Sequence, residues 1–451
     1  MKRIFGEKDF IYKLIAIALP MGLQSAINMV VNLIDTVMVG TLGDFALSGV
    51  NLSSQFPYLY MTVIMGVGNA GMIIASQAWG NSRPDKVKTM MAFCLKICFV
   101  VNIVFFLLGF LFPSQILSIY TDEKTIIEMG TPYLRILSFT FLLQSISMTI
   151  VTLLRSAGVN RLGFYTSTMA CLLNMVFNWL LIFGHLGFPK MGVSGAAVAT
   201  VIARIAEFIV VGGYLFTNNI LPFGLEDLSL KIDRDMRSDF IRIGTPSIIS
   251  EVTGNLNVSA AAMITGRVSP YYIAANTIVH NIWTISSLFL FGIAMGASVM
   301  IGHEIGANQL EKAKDYSKYF IRIGILIGVL AAVLTQIIAP VITSFFSVSE
   351  ETLLIAGKLK NAASVAVFFL AMQLILTKGI LRGGGQAAAV TKVDLLSCWL
   401  INIPVGFIVA LVLHADPFFI YLSLRLDYLI KTVWGIWRIQ KGDWMIRMSV
   451  D

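Results

Sequence analysis

Long apolar runs separated by short polar interruptions dominate the chain. Residues 45–82, 97–121 and 268–302 contain no Asp, Glu, Lys or Arg. About 20 apolar residues cross the hydrocarbon core as a helix, which closes its own backbone hydrogen bonds. A spanning barrel would instead show segments of about ten residues with alternating polarity, and these runs do not alternate. The pattern predicts twelve helices, near 14–38, 52–79, 90–112, 132–154, 163–185, 193–215, 240–265, 274–301, 317–344, 361–381, 393–413 and 418–437. Lys and Arg gather at the N-terminus and around 83–88, 155–161, 231–237, 312–318, 382–392 and 438–447. The alternate loops carry only Lys124, Lys190, Arg267, Lys358 and Lys360. That asymmetry predicts a multi-pass protein of a cytoplasmic (plasma) membrane with both termini in the cytoplasm.

The polar and glycine positions repeat. An offset of 226 lays Pro20 on Pro246, Gly40 on Gly266, Gly66 on Gly292 and Gly80 on Gly306, with Lys86 and Lys88 on Lys312 and Lys314. One residue more lays Leu154-Arg155 on Leu381-Arg382 and Gly158 on Gly385. Each half holds six predicted spans, an even number, so the halves run in the same sense. The expected architecture is an all-α integral membrane protein with two six-helix lobes, residues 1–225 and 226–451, related by a parallel internal repeat. Such a duplication suits a carrier that alternates access around a central site.

Composition sharpens this picture. Of 451 residues 57% are hydrophobic and 13% charged, about half the charged share of a soluble domain. The net charge of +8 comes from the basic loop clusters, so no nucleic-acid partner is expected. Cys94, Cys98, Cys171 and Cys398 lie in or beside apolar runs, with neither a disulfide framework nor metal-ligand spacing. No small-residue cleavage site follows the first apolar run, so the basic N-terminus reads as an anchor. Gly66-Val-Gly-Asn-Ala-Gly71 matches a dinucleotide fingerprint, but it lies inside a charge-free span. There its small residues serve close helix contact. No phosphate loop, nucleophile elbow or paired catalytic carboxylates occur, so neither enzymatic activity nor a cofactor is expected.

Charge within the membrane costs about 2.5–3.5 kcal/mol or more per residue, which makes each such group a functional candidate. Asp35 follows the apolar run of the first span and falls in its outer half. Asn174 and Asn178, four apart, share a face of the fifth span. Thr200 enters the sixth span at similar depth. These four are expected to converge on one polar site, a carboxylate with three neutral oxygens, suited to a proton or to Na+. Glu251, near the middle of the seventh span, is a second candidate for substrate or cation. Gln24, Asn28, Gln55, Tyr58 and Trp283 add amides and rings that favour organic cations. Arg204, Glu207, Arg425, Asp427 and Lys431 are expected to pair or snorkel as structural groups, and Lys378 to reach the cytoplasmic surface.

Several strings together resemble the multidrug and toxic compound extrusion (MATE) family. They are Asn32-Leu-Ile-Asp-Thr-Val-Met-Val-Gly40, the LLR-x-x-G and ILR-x-x-G motifs after the fourth and tenth spans, residues 187–204 (GFPKMGVSGAAVATVIAR) and Trp399-Leu-Ile-Asn-Ile-Pro404. The resemblance covers nearly the whole chain. It implies export of organic cations or other amphipathic compounds in exchange for H+ or Na+, by a protein that is expected to act as a monomer among membrane lipids. Asp35 matches the acidic residue of the family's first span, Asn174 and Thr200 match its fifth- and sixth-span residues, and Glu251 matches a seventh-span Glu of some branches. Asn178 stands where the family has an Asp, and no acid occurs near Ala371 in the tenth span. A lipid-linked saccharide flippase is the nearest alternative, although its anionic substrate would want several arginines in the cavity.

Overall fold

The computed structural model describes residues 8–344 and 349–448, and Lys2 and Arg3 of the N-terminal basic cluster lie outside them. Among the described residues the chain forms twelve helical passages. They are α1 (Lys8–Gly40), α2 (44–80, broken at Ser54), α3 (Pro84–Leu111), α4 (Lys124–Ser156), α5 (Leu162–Phe183) and α6 (Val193–Thr217). The second set is α7 (Arg234–Thr265), α8 (270–306), α9 (Leu310–Ser344), α10 (Glu350–Leu381), α11 (Ala387–Val412) and α12 (417–440, broken at Leu424 and Arg425). Ten of these are long and apolar enough to cross a membrane on composition alone. The other two are α7 and α12, which carry the polar residues discussed below. The architecture is therefore two lobes of six helices.

Two compact units divide the chain. One holds Leu23–Ala75 and Arg83–Arg237; the other holds residues through Gly22, Ser76–Ser82 and everything from Ser238 onward. Within the first, residues 218–233, which join α6 to α7, are tied to the start of α3 by Lys86–Asp233 at 2.6 Å and Lys88–Asp227 at 3.3 Å. Within the second, the end of α2 meets α8 with almost no space. A Cβ on Gly80 would lie 2.1 Å from the His303 carbonyl oxygen, and one on Gly306 would lie 1.9 Å from that of Gln77. Small residues at such a crossing let backbones approach where lipid gives no hydrophobic drive for helix association.

The repeat reaches the backbone. Gly158 and Gly385 both take left-handed φ, +86° and +82°, and end the helices that carry Arg155 and Arg382. Ser82 and Asn308, one offset of 226 apart, do the same at 57° and 59°. Pro20 and Pro246 each sit inside the first helix of their half. The halves differ in α10 and α11, where residues 374–381, 396–402 and 408–412 widen into π-helical turns. Such turns re-aim side chains and are frequent at functional sites.

Candidate functional site

Glycine and alanine at the start of α6 bring it onto α5. A Cβ on Gly195 would stand 2.6 Å from the Leu181 carbonyl oxygen, so only glycine permits this approach. The approach carries Thr200 to Asn174, whose amide donates to Thr200 Oγ1 at 3.2 Å. One turn along α5, Asn178 Nδ2 donates to Asn174 Oδ1 at 3.2 Å and to Asp35 Oδ1 of α1 at 2.5 Å. The structure thus joins Asp35, Asn174, Asn178 and Thr200 in one chain of hydrogen bonds. With both amide hydrogens spent, Asn178 Oδ1 is left buried without a donor.

A cavity of about 190 Å³ opens beside this chain, lined among others by Asn28, Asp35, Tyr133, Ser167, Asn174, Thr200 and Arg204. That is room for several waters or a small cation. Arg204 pairs with Glu207 at 2.6 Å, so its charge is offset within α6. Among the described residues Asp35 has no ion-pair partner. A carboxylate and neutral side-chain oxygens are the donor types that a hard cation or a proton takes.

The other candidates spread out. Asn28 lines the cavity, while Gln24 is held between Arg155, which donates to it at 2.7 Å, and Ser167, which accepts from it at 2.8 Å. Gln55 and Tyr58 are exposed on α2. Tyr60 is buried, its one hydroxyl hydrogen placed between two acceptors, Asn102 Oδ1 at 2.8 Å and the Phe141 carbonyl at 2.7 Å, which is a packing role. Trp283 stacks on His280 with ring centroids 5.7 Å apart.

Glu251 differs most from its sequence reading. It is not an isolated carboxylate. Lys378 Nζ lies 3.1 Å from it and Arg382 Nη1 3.0 Å, so two cations face one acid. Lys378 therefore does not reach for the cytoplasmic surface; the π-helical turn of α10 points it inward. Arg382 Nη2 also donates to Ser250 Oγ at 2.7 Å, and the Ser250 hydroxyl is bonded to Asp394. Lys431 then bridges Asp394 and Asp427, 2.9 Å from each. Asp394 was missed by sequence reasoning because it sits at the edge of a span beside a basic cluster, where it resembles a loop residue.

The repeat offset could have found it. An offset of 226 in the first helix of each half places Gln24 on Ser250; 227 further on places Arg155 on Arg382, Ser167 on Asp394, Thr200 on Asp427 and Arg204 on Lys431. The hydrogen bonds agree: arginine to linker to third residue runs Arg155–Gln24–Ser167 in one half and Arg382–Ser250–Asp394 in the other. The same constellation is neutral at Ser167 and Thr200 in the first half and acidic at Asp394 and Asp427 in the second. Duplication supplied the scaffold, and substitution gave the halves different chemistry.

Comparison with known proteins agrees with this architecture. The family model described as MatE matches residues 20–180 and again 246–408, one match per half. The chain is 25% identical over 402 residues to the probable multidrug resistance protein YoeA of Bacillus subtilis, covering 87% of this chain and 85% of that protein. It is 25% identical over 417 residues to a probable multidrug resistance protein NorM of Halalkalibacterium halodurans, covering 91% and 90%. A solved structure of a MATE protein in complex with MaL6 superposes with a TM-score of 0.85 at 18% identity over 98% of both chains. An outward-facing multidrug resistance MATE family transporter of the MOP superfamily gives 0.85 at 17%, over 95% and 96%. With the family's sequence pattern present in each half and its helical fold throughout, this chain belongs to the MatE family, the MATE transporters of the membrane.

Proposed function

We propose that this protein is a secondary active efflux carrier that exports organic cations or other amphipathic compounds in exchange for H+ or Na+. Asp35 carries the coupling. The supporting observation is a membrane carboxylate whose partner is a neutral amide, beside a small cavity and a buried amide oxygen that lacks a donor. The cost of that charge falls when a proton, Na+ or a cationic substrate arrives, and one carboxylate serves only one of them at a time. Binding of the coupling ion from outside thus weakens substrate binding and favours release. Asn178 in place of an acid leaves this site a single carboxylate. Glu251 is the weaker coupling candidate, because a cation there must displace Lys378 or Arg382. Both termini lie in the cytoplasm, and the carrier works as a monomer without a cofactor.

Dye efflux in everted vesicles under an imposed proton or Na+ gradient tests this, wild type against Asp35→Asn. Efflux that follows one gradient and disappears in the folded variant establishes antiport and names the ion. Undiminished efflux in Asp35→Asn refutes the role of Asp35. Absence of gradient-driven transport for several organic cations would favour a lipid-linked saccharide flippase.

A further inference from the structure

A groove bordered by α3, α4 and α6 belongs to neither candidate site. Within the first unit it encloses about 620 Å³, with Leu95, Ile150, Leu215 and Phe223 buried along its floor and Phe99, Val100 and Leu225 exposed at its lips. Along α6 it runs from Phe208 to Phe216, a rise of about 12 Å. That approaches the roughly 15 Å of hydrocarbon in one leaflet, half of the apolar core. The groove ends at residues 223–228, where the chain beyond α6 turns back over α3. Asn218 Oδ1 shapes that turn by accepting from the backbone amides of Ile220 and Leu221, at 3.1 and 2.8 Å.

Lys96 is the one charged residue in the lining. It immediately precedes the charge-free run 97–121, so it stands where hydrocarbon gives way to headgroups. Its exposed ammonium donates to the Leu230 carbonyl at 2.8 Å, and among the described residues no carboxylate lies within ion-pair distance of it. The neighbouring bases are spent: Arg83 on Asp85, Lys86 on Asp233 and Lys88 on Asp227. Glu226 and Lys231, both exposed, cancel in net charge, so the polar end of the groove keeps the charge of Lys96. Gly212 is a separate mark. Gly195 and Gly306 admit other backbone, whereas a Cβ on Gly212 would meet nothing within 4 Å. Glycine inside a helix is destabilising against alanine, and here no part of the chain uses the space it leaves. Its bare backbone deepens the groove instead.

We propose that this groove holds one acyl chain of an anionic phospholipid, whose phosphate rests on the Lys96 ammonium. Charge and depth favour the phosphate, because Lys96 has no carboxylate of its own and sits at headgroup level. The walls favour the chain, since no polar side chain other than Lys96 lines them. Lipid that merely surrounds a protein meets a smooth apolar face without headgroup preference; a recess with a fixed cation at one end selects. The bound chain packs on α6, the helix that brings Thr200 to the Asp35 site, so the lipid supports one wall of that site. The inference goes beyond the export reading, and its binding is measured without transport.

The test is native mass spectrometry of the purified, delipidated full-length protein, titrated with phosphatidylglycerol or phosphatidylcholine of identical chains. One basic side chain against an anionic headgroup predicts that the first phosphatidylglycerol binds about fivefold tighter than the first phosphatidylcholine. Lys96→Gln should lower this preference to about twofold or less, while Lys392→Gln, which neutralises an exposed lysine of α11, should leave it intact. Gly212→Leu keeps the charge and fills the groove, so first binding of both lipids should weaken severalfold. A thermal midpoint within a few degrees of wild type shows each variant to be folded, and should one of the two groove variants unfold, the other decides. Equal affinity of wild type for the two lipids overturns the proposal, and so does a preference that survives Lys96→Gln. A preference lost equally in Lys392→Gln assigns it to overall positive charge and overturns the site. First binding unchanged in Gly212→Leu puts the lipid outside the groove, which overturns it as well.

Discussion

Replacing Glu251 with Gln leaves the shape of the α7–α10 contact almost unchanged while removing its negative charge. Gln Oε1 still accepts from Arg382 and Lys378, but its amide also faces the Lys378 ammonium, donor against donor. The two cations that face it lose their shared counter-charge. Breaking a buried ion pair from one side costs about 3–5 kcal/mol, and the retained hydrogen bond places this case near 3. Each kcal/mol lowers the melting temperature of a unit of roughly 150–250 residues by about 2–4 °C, so a drop of roughly 6–12 °C follows. The assay is thermal unfolding with a thiol-reactive dye, because Cys94, Cys98, Cys171 and Cys398 are all buried in the folded protein and become fully reactive when the fold opens. Adding Lys378→Met removes one stranded cation and should recover part of the loss, a non-additivity that defines the pair. A Glu251→Gln midpoint within about 2 °C of wild type would refute the paired description. It would mean that Glu251 and Lys378 do not both carry charge in the folded protein.

Three further outcomes follow from the geometry. Asp35→Asn should abolish gradient-driven efflux yet shift the midpoint by only a few degrees, since its partner is a neutral amide that an Asn oxygen also accepts from; a large shift would mark Asp35 as structural. Gly306→Ala and Gly80→Ala drive a Cβ into backbone carbonyls and should each cost about 1–3 kcal/mol or more, whereas Gly212→Ala, with nothing within 4 Å, should be neutral or slightly stabilising in the same melt. In the loop before α12, Lys358 holds the Asp416 carboxyl below its ordinary range, so that pair stabilises at neutral pH and is lost as pH falls through the lowered value. Both side chains are well exposed, so Asp416→Asn should cost at most about 0.5 kcal/mol, and only above that pH.

Part of the Asp35 site was legible in the sequence. Asn174 and Asn178 share a helix face whatever surrounds them, and an acid near the end of an apolar run stands out against lipid. The twelve spans and the repeat were equally plain, since about 20 apolar residues have one way to satisfy their backbone in a membrane. The surroundings of Glu251 were not legible. Lys378 points inward only because α10 widens into a π-helical turn, and Asp394 reaches Ser250 only through helix packing. Lys431 likewise bridges Asp394 and Asp427 only because the helices that carry them meet.

Sequence by itself thus determined which segments cross the membrane, that the chain is a doubled unit, and which residues are too costly there to be idle. Tertiary structure decided which of those residues meet. The physical reason is that lipid and protein interior are alike in polarity, so the faces of these helices are apolar nearly all round. Hydrophobic periodicity, which tells inside from outside in a soluble protein, carries little about helix rotation here, and the ion pairs depend on rotation.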